Sequence, residues 1–141
     1  MHKKYGAVVK LKKQTLEQKE SDLLQARTIV KKIEEDIGKI TKDIKGLNAP
    51  KEGTYNSFLQ IRNLGNDLMK QKEYLLLKKD NAQNQANKCL YLYNEALKEY
   101  EKMKYLKEEH YSKLLKEIKQ KEQKELDEIA LQLFFLQGVS R

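Results

Sequence analysis

The apolar residues between Leu23 and Leu47 fall in one unbroken alternation of three and four: Leu23, Ala26, Val30, Ile33, Ile37, Ile40, Ile44 and Leu47. These are the a and d positions of a heptad repeat, and Lys, Glu, Asp, Gln and Thr fill most of the places between them. One narrow stripe is apolar and the rest of the surface is solvated, which is the pattern of a coiled-coil seam. Such a helix draws most of its stability in water from covering its stripe. The pattern therefore predicts a partner helix. Followed backwards, the same frame passes through Lys19, Leu16, Lys12, Val9 and Tyr5. Lysine at a d position weakens a seam, although its stem still covers apolar surface. The first helix is expected over about residues 2–47, loosest near its start.

Gly46, Pro50 and Gly53 interrupt the pattern. Proline cannot continue a helix and pushes the residue before it out of the helical region, so residues 48–53 read as a hairpin turn. Thr54 is the expected N-cap of a second helix, with Ser57 where a capping box would place Glu or Gln. This helix is expected over about residues 54–136. Its apolar residues are Phe58, Ile61, Leu64, Leu68, Leu75, Ala82, Ala86, Cys89, Tyr93, Ala96, Tyr100 and Met103, and the frame shifts between Met103 and Tyr111. The amide-rich stretch from Asp80 to Asn87 is the weakest helix former, and both a bend there and a continuous helix fit, the continuous one being favoured. The fold class is all-α, an elongated antiparallel two-helix coiled coil with the second helix longer. Length suits a single coiled-coil domain.

Counted from a reversal at Pro50, Tyr5 comes opposite about Leu97, so the end of the second helix overhangs. That overhang carries Leu126, Ile129, Leu131, Leu133, Phe134, Phe135 and Leu136. An exposed apolar patch of this size marks a partner surface or a site of self-association.

Composition sharpens this picture. Of 141 residues, 39% are hydrophobic and 35% charged, with no Trp and one Pro, which favours a helical rod over a globule. The formal charge of +8 is concentrated in Lys3, Lys4, Lys10, Lys12 and Lys13, which meet no acid before Glu17. No segment approaches a membrane span or a signal-peptide core, so a cytoplasmic protein is expected. Cys89 is the only cysteine and reads as a buried seam residue. No catalytic, metal or phosphate-binding constellation is present: His2 and His110 are far apart, and the carboxylates lie on helix faces with no concave site to desolvate them. The expectation is a non-enzyme without cofactors or metal. Eight tyrosines among lysines suit base stacking in principle, but Tyr93 and Tyr100 coincide with the seam, so no nucleic-acid partner is expected.

The segment Gln123-Lys124-Glu125-Leu126-Asp127-Glu128-Ile129-Ala130 resembles the FliJ family of flagellar type III export proteins, which are similar to rotary-ATPase stalk subunits. Tyr55-Asn56-Ser57-Phe58-Leu59-Gln60 is similar to the family's Tyr-x-x-Phe-apolar-Gln segment after the middle loop. The resemblance implies a stalk that inserts the tip where its two chain ends meet into a hexameric flagellar export ATPase, touches the export gate protein through its mid-chain region, and escorts export chaperones at the base of the export apparatus. By position, Leu126, Asp127, Glu128, Ile129 and Ala130 fall on the ring-facing tip, with Lys10, Lys13 and Lys124 as further ATPase-contact candidates. Tyr55, Phe58, Leu59 and Gly65 fall in the gate-facing patch, where Arg62 and Met69 depart from the family's apolar and histidine residues. A coiled-coil adaptor or export chaperone holding a client at the apolar C-terminal end is the alternative.

Overall fold

The computed structural model describes residues 2–48 and 53–139 and consists of two helices, α1 (His2–Lys45) and α2 (Tyr55–Val139), packed against each other as a helical hairpin. Of the expected turn, residues 49–52 lie outside the described part. The last turn of α1 closes with Gly46 N–H donating to the Lys42 carbonyl at 2.9 Å, and Lys42 and Lys45 complement the negative end of the helix dipole. Thr54 starts α2: its carbonyl accepts from Ser57 N–H at 3.0 Å, and its hydroxyl shares a hydrogen bond with that of Ser57 at 3.3 Å. The chain divides into two compact units, Thr15–Ala96 and Met1–Gln14 with Leu97–Arg141.

In the unit Thr15–Ala96, α1 buries the stripe its heptads predict. Leu23, Ala26, Val30 and Ile33 are buried, and Leu16, Lys19, Ile37, Ile40, Ile44 and Leu47 are half-buried. The facing stripe on α2 is Gly65, Leu68, Lys72, Leu75, Lys79, Ala82, Ala86, Cys89 and Tyr93, again in threes and fours. Leu64, expected in the seam, is exposed, and Gly65 takes its place with Leu47 Cδ1 3.5 Å from where a Cβ would stand. One cluster of buried residues unites Leu23, Ala26, Val30, Ala86 and Cys89, with Ala82 and Tyr93 against them. Small side chains let two helix backbones approach, which explains why the buried residues collect here. The same cluster accounts for the unbroken helix through Asp80–Asn87. Ala82 and Ala86 face α1, while the amides outside the seam bond within the helix: Gln83 Nε2 donates to Asn87 Oδ1 at 3.1 Å. Lys72 and Lys79 of this stripe are half-buried, and Lys79 Nζ lies at the edge, 3.6 Å from Glu34.

In the other unit, Tyr5, Val9 and Lys12 of α1 face Tyr100, Met103, Lys107 and His110 of α2, all half-buried. The Tyr5 and His110 rings stand 5.1 Å apart, and Lys12 Nζ is 3.8 Å from Glu99. Two expectations are corrected here. Tyr5 is opposite His110, several turns beyond Leu97, and the seam frame continues through Lys107 to His110 without the shift expected after Met103. The cause is visible at the other end of α1: Leu47 meets Gly65, so α2 runs on for more than two turns before it is level with α1. Matching the apolar stripes sets the register, and the shortest possible reversal does not.

Candidate functional site

From Tyr111 to Gly138 every residue of α2 is exposed. Leu126, Ile129, Leu131, Leu133, Phe134, Phe135 and Leu136 are each between 52% and 72% exposed, the densest apolar surface among the described residues. At 3.6 residues per turn they do not form one stripe. Leu126, Ile129, Leu133 and Leu136 share about a third of the circumference, and Leu131, Phe134 and Phe135 share about a third on the opposite side. Gln132 and Gln137 fall between the two faces. A surface helix shows one apolar face, whereas a helix apolar on two opposite sides requires cover all round.

Of the ATPase-contact candidates, Lys124, Leu126, Asp127, Glu128, Ile129 and Ala130 stand together on this exposed part of α2. Asp127 accepts a hydrogen bond from Gln123 Nε2 at 3.1 Å, one turn back on the same helix, so the Gln-Lys-x-apolar-Asp pattern is tied together locally. Lys10 and Lys13 are exposed on α1 beside Lys12, level with Glu99. At ~1.5 Å per residue that is about 40 Å along α2 from Leu126, so the structure does not bring the two groups together. Tyr5, in the first turn of α1, is level with His110, and the described part of α1 does not reach the segment around Leu126. The opposite face, Leu131, Phe134 and Phe135, is absent from the motif-derived candidates. The signal for it lies in the sequence, because residues 129–136 contain only Gln132 as a polar position.

The gate-contact candidates separate in the same way. Tyr55 and Phe58 are exposed, Leu59 is half-buried, and Gly65 is half-buried in the seam against Leu47. Arg62 and Met69 are exposed on the same heptad line as Tyr55. Gly65 acts on the pairing of the helices; Tyr55, Phe58, Arg62, Leu64 and Met69 are among the outward residues at this end.

Among the described residues, no group of three or more His, Cys, Asp or Glu is placed to hold a metal ion, and no helix is long and apolar enough to cross a membrane. The grooves along the seam, such as that lined by Ala26, Ile29, Ala82 and Cys89, are open to solvent. No curated protein and no solved structure is significantly similar to the chain. A family model described as "Flagellar FliJ protein" matches residues 1–138. With nearly its whole length matched, and with the two-helix hairpin that its heptads predict, the chain belongs to the FliJ family of non-catalytic flagellar export components.

Proposed function

We propose that this protein is the stalk of a flagellar export ATPase: the end of α2 is held inside the hexameric ring, and the protein modulates hydrolysis without an active site of its own. The observation that carries this reading is the two-sided apolar surface formed by Leu126, Ile129, Leu133 and Leu136 on one side and Leu131, Phe134 and Phe135 on the other. A groove or a flat surface covers one side of a helix. A ring covers all of them. Because the two faces differ in chemistry, they make unequal contacts with equivalent subunits, and unequal contacts shift conformational populations. In the same reading the exposed residues near the start of α2, Tyr55 and Phe58 among them, reach the export gate protein. Export chaperones are further partners, and the protein works in the cytoplasm at the base of the export apparatus.

The test is ATP hydrolysis by the cognate export ATPase with and without this protein. One double variant removes each face: Leu126→Asp with Ile129→Asp, and Phe134→Asp with Phe135→Asp. Burying a Leu, Ile or Phe is worth about 1.5–3 kcal/mol, so each pair is expected to weaken binding by more than tenfold. Stimulation by the wild type that both pairs abolish, with helicity by circular dichroism unchanged, supports the stalk. An unchanged hydrolysis rate at saturating wild-type protein sinks it, and the apolar end is then a client-binding site.

A further inference from the structure

The first turns of α1 carry the most one-sided charge on the chain. Residues 1–16 hold five lysines and no acid, in a protein whose net charge is +8, and no other acid-free stretch holds more than three basic residues. In the unit Met1–Gln14 with Leu97–Arg141, the seam takes Tyr5, Val9 and Lys12. The heptad line through Ala7 and Gln14 therefore faces directly away from α2, with Lys10 on the line to one side and Lys4 and Leu11 on the line to the other. Lys13 stands beyond Lys10. All six are exposed, Leu11 at 61%. Lys12 lies 3.8 Å from Glu99, whereas Lys4, Lys10 and Lys13 are in no ion pair among the described residues.

We infer that this face of α1 rests on an anionic lipid surface, with α2 behind it. Three observations choose the partner. The cations are all lysines, and a point charge on a flexible stem suits a diffuse layer of headgroups, whereas arginine forks build the specific phosphate or carboxylate site. No aromatic side chain stands among them to stack a base, since Tyr5 is half-buried against His110. Leu11 is an apolar residue among the lysines, which the boundary between headgroups and acyl chains takes up and a phosphodiester backbone does not. The acids at this level, Glu99, Glu101, Glu108 and Glu109, belong to α2, and packed helix axes run about 8–10 Å apart. That is about one screening length at physiological ionic strength, so the lysines act at the surface while the acids behind them are damped. Each lysine at an anionic bilayer strengthens attachment about fivefold, and the three exposed ones together about a hundredfold, which makes the contact reversible.

Co-sedimentation of the full chain with vesicles tests this, using phosphatidylcholine alone and phosphatidylcholine with an equal part of phosphatidylglycerol. At about 0.1 M salt the anionic vesicles are expected to take up at least tenfold more protein, and the difference is expected to vanish at about 1 M, where the Debye length falls from about 10 Å to about 3 Å. Lys4→Gln with Lys10→Gln and Lys13→Gln should lower attachment about a hundredfold with helicity by circular dichroism unchanged, and Lys4→Arg with Lys10→Arg and Lys13→Arg should keep it. Leu126→Asp with Ile129→Asp, at the other end of α2, should leave the difference between the two vesicles in place. Attachment to neither vesicle, or to both equally, overturns the inference. So does attachment to anionic vesicles that the glutamine variant retains, or that only the Leu126 and Ile129 changes abolish. Binding to double-stranded DNA or to polyglutamate but to neither vesicle overturns it as well, and assigns the face to a nucleic acid or to an acidic protein.

Discussion

Truncation of Ile33 tests whether the seam around Leu23–Ile33 supplies the stability of the hairpin. Ile33 is 3% exposed, and Ile29, one turn earlier on the same helix, is 55% exposed. Ile33→Ala removes three carbons from a buried place, which at about 0.8 kcal/mol per carbon gives about 2.4 kcal/mol. The cavity contribution that raises such losses toward 5 kcal/mol in globular cores stays small here, because the grooves beside the seam open to solvent and water enters the space. A loss of about 2–3 kcal/mol is expected. Ile29→Ala removes the same atoms from a solvated flank and introduces the best helix former, so it is expected within about 0.5 kcal/mol of wild type. The measurement is urea unfolding followed by circular dichroism, with the two variants compared at the same slope. Equal losses at the two positions would refute the argument, since the substitution is identical and only the burial differs.

Gly38 and Gly65 are both inside helices, with open space beyond a Cβ at Gly38 and ordinary contact with Leu47 at Gly65; Ala at either should raise stability by about 0.5–1 kcal/mol, read from the same unfolding curves. Lys79→Leu should stabilise the seam by up to about 1 kcal/mol, because it sets an apolar side chain at a seam position where lysine weakens the packing. Glu34→Gln, which removes the 3.6 Å ion pair with Lys79, should change stability by less than about 0.5 kcal/mol, since both side chains reach solvent. Amide hydrogen exchange should be slowest around Val30, Ile33, Ala86 and Cys89 and fast from Tyr111 onward, where packing against α1 has ended.

The α1 stripe was legible because from Leu23 onward its d and a positions are Ile, Val, Leu and Ala in strict alternation, and the structure buries or half-buries every position of that frame from Tyr5 to Leu47. The α2 stripe was legible only in part. Gly65, Lys72, Lys79 and Lys107 occupy seam positions that hydrophobicity does not reveal, and Leu64, beside Gly65, imitates one. Register was misjudged for a related reason: counting from Pro50 assumes that the turn brings the helices level, whereas the stripes match only with Leu47 at Gly65 and Tyr5 near His110. At the tip, the motif singled out residues 126–130, which lie on the exposed part of α2. The second face needed the helix angle of Leu131, Phe134 and Phe135, which no motif carries. Lys10 and Leu126 stand apart in the counted register and in the observed one alike; the family resemblance grouped them, and the helix count did not.

The central claim is that the end of α2 is enclosed on both sides. Photo-cross-linking residues placed singly at Ile129 and at Phe134, on opposite faces, test it in the presence of the cognate export ATPase and nucleotide. Enclosure predicts that both positions cross-link to the ATPase with similar yield. Cross-linking from one face only, with the other still reactive toward solvent probes, would contradict the ring reading and describe a helix lying on a partner's surface.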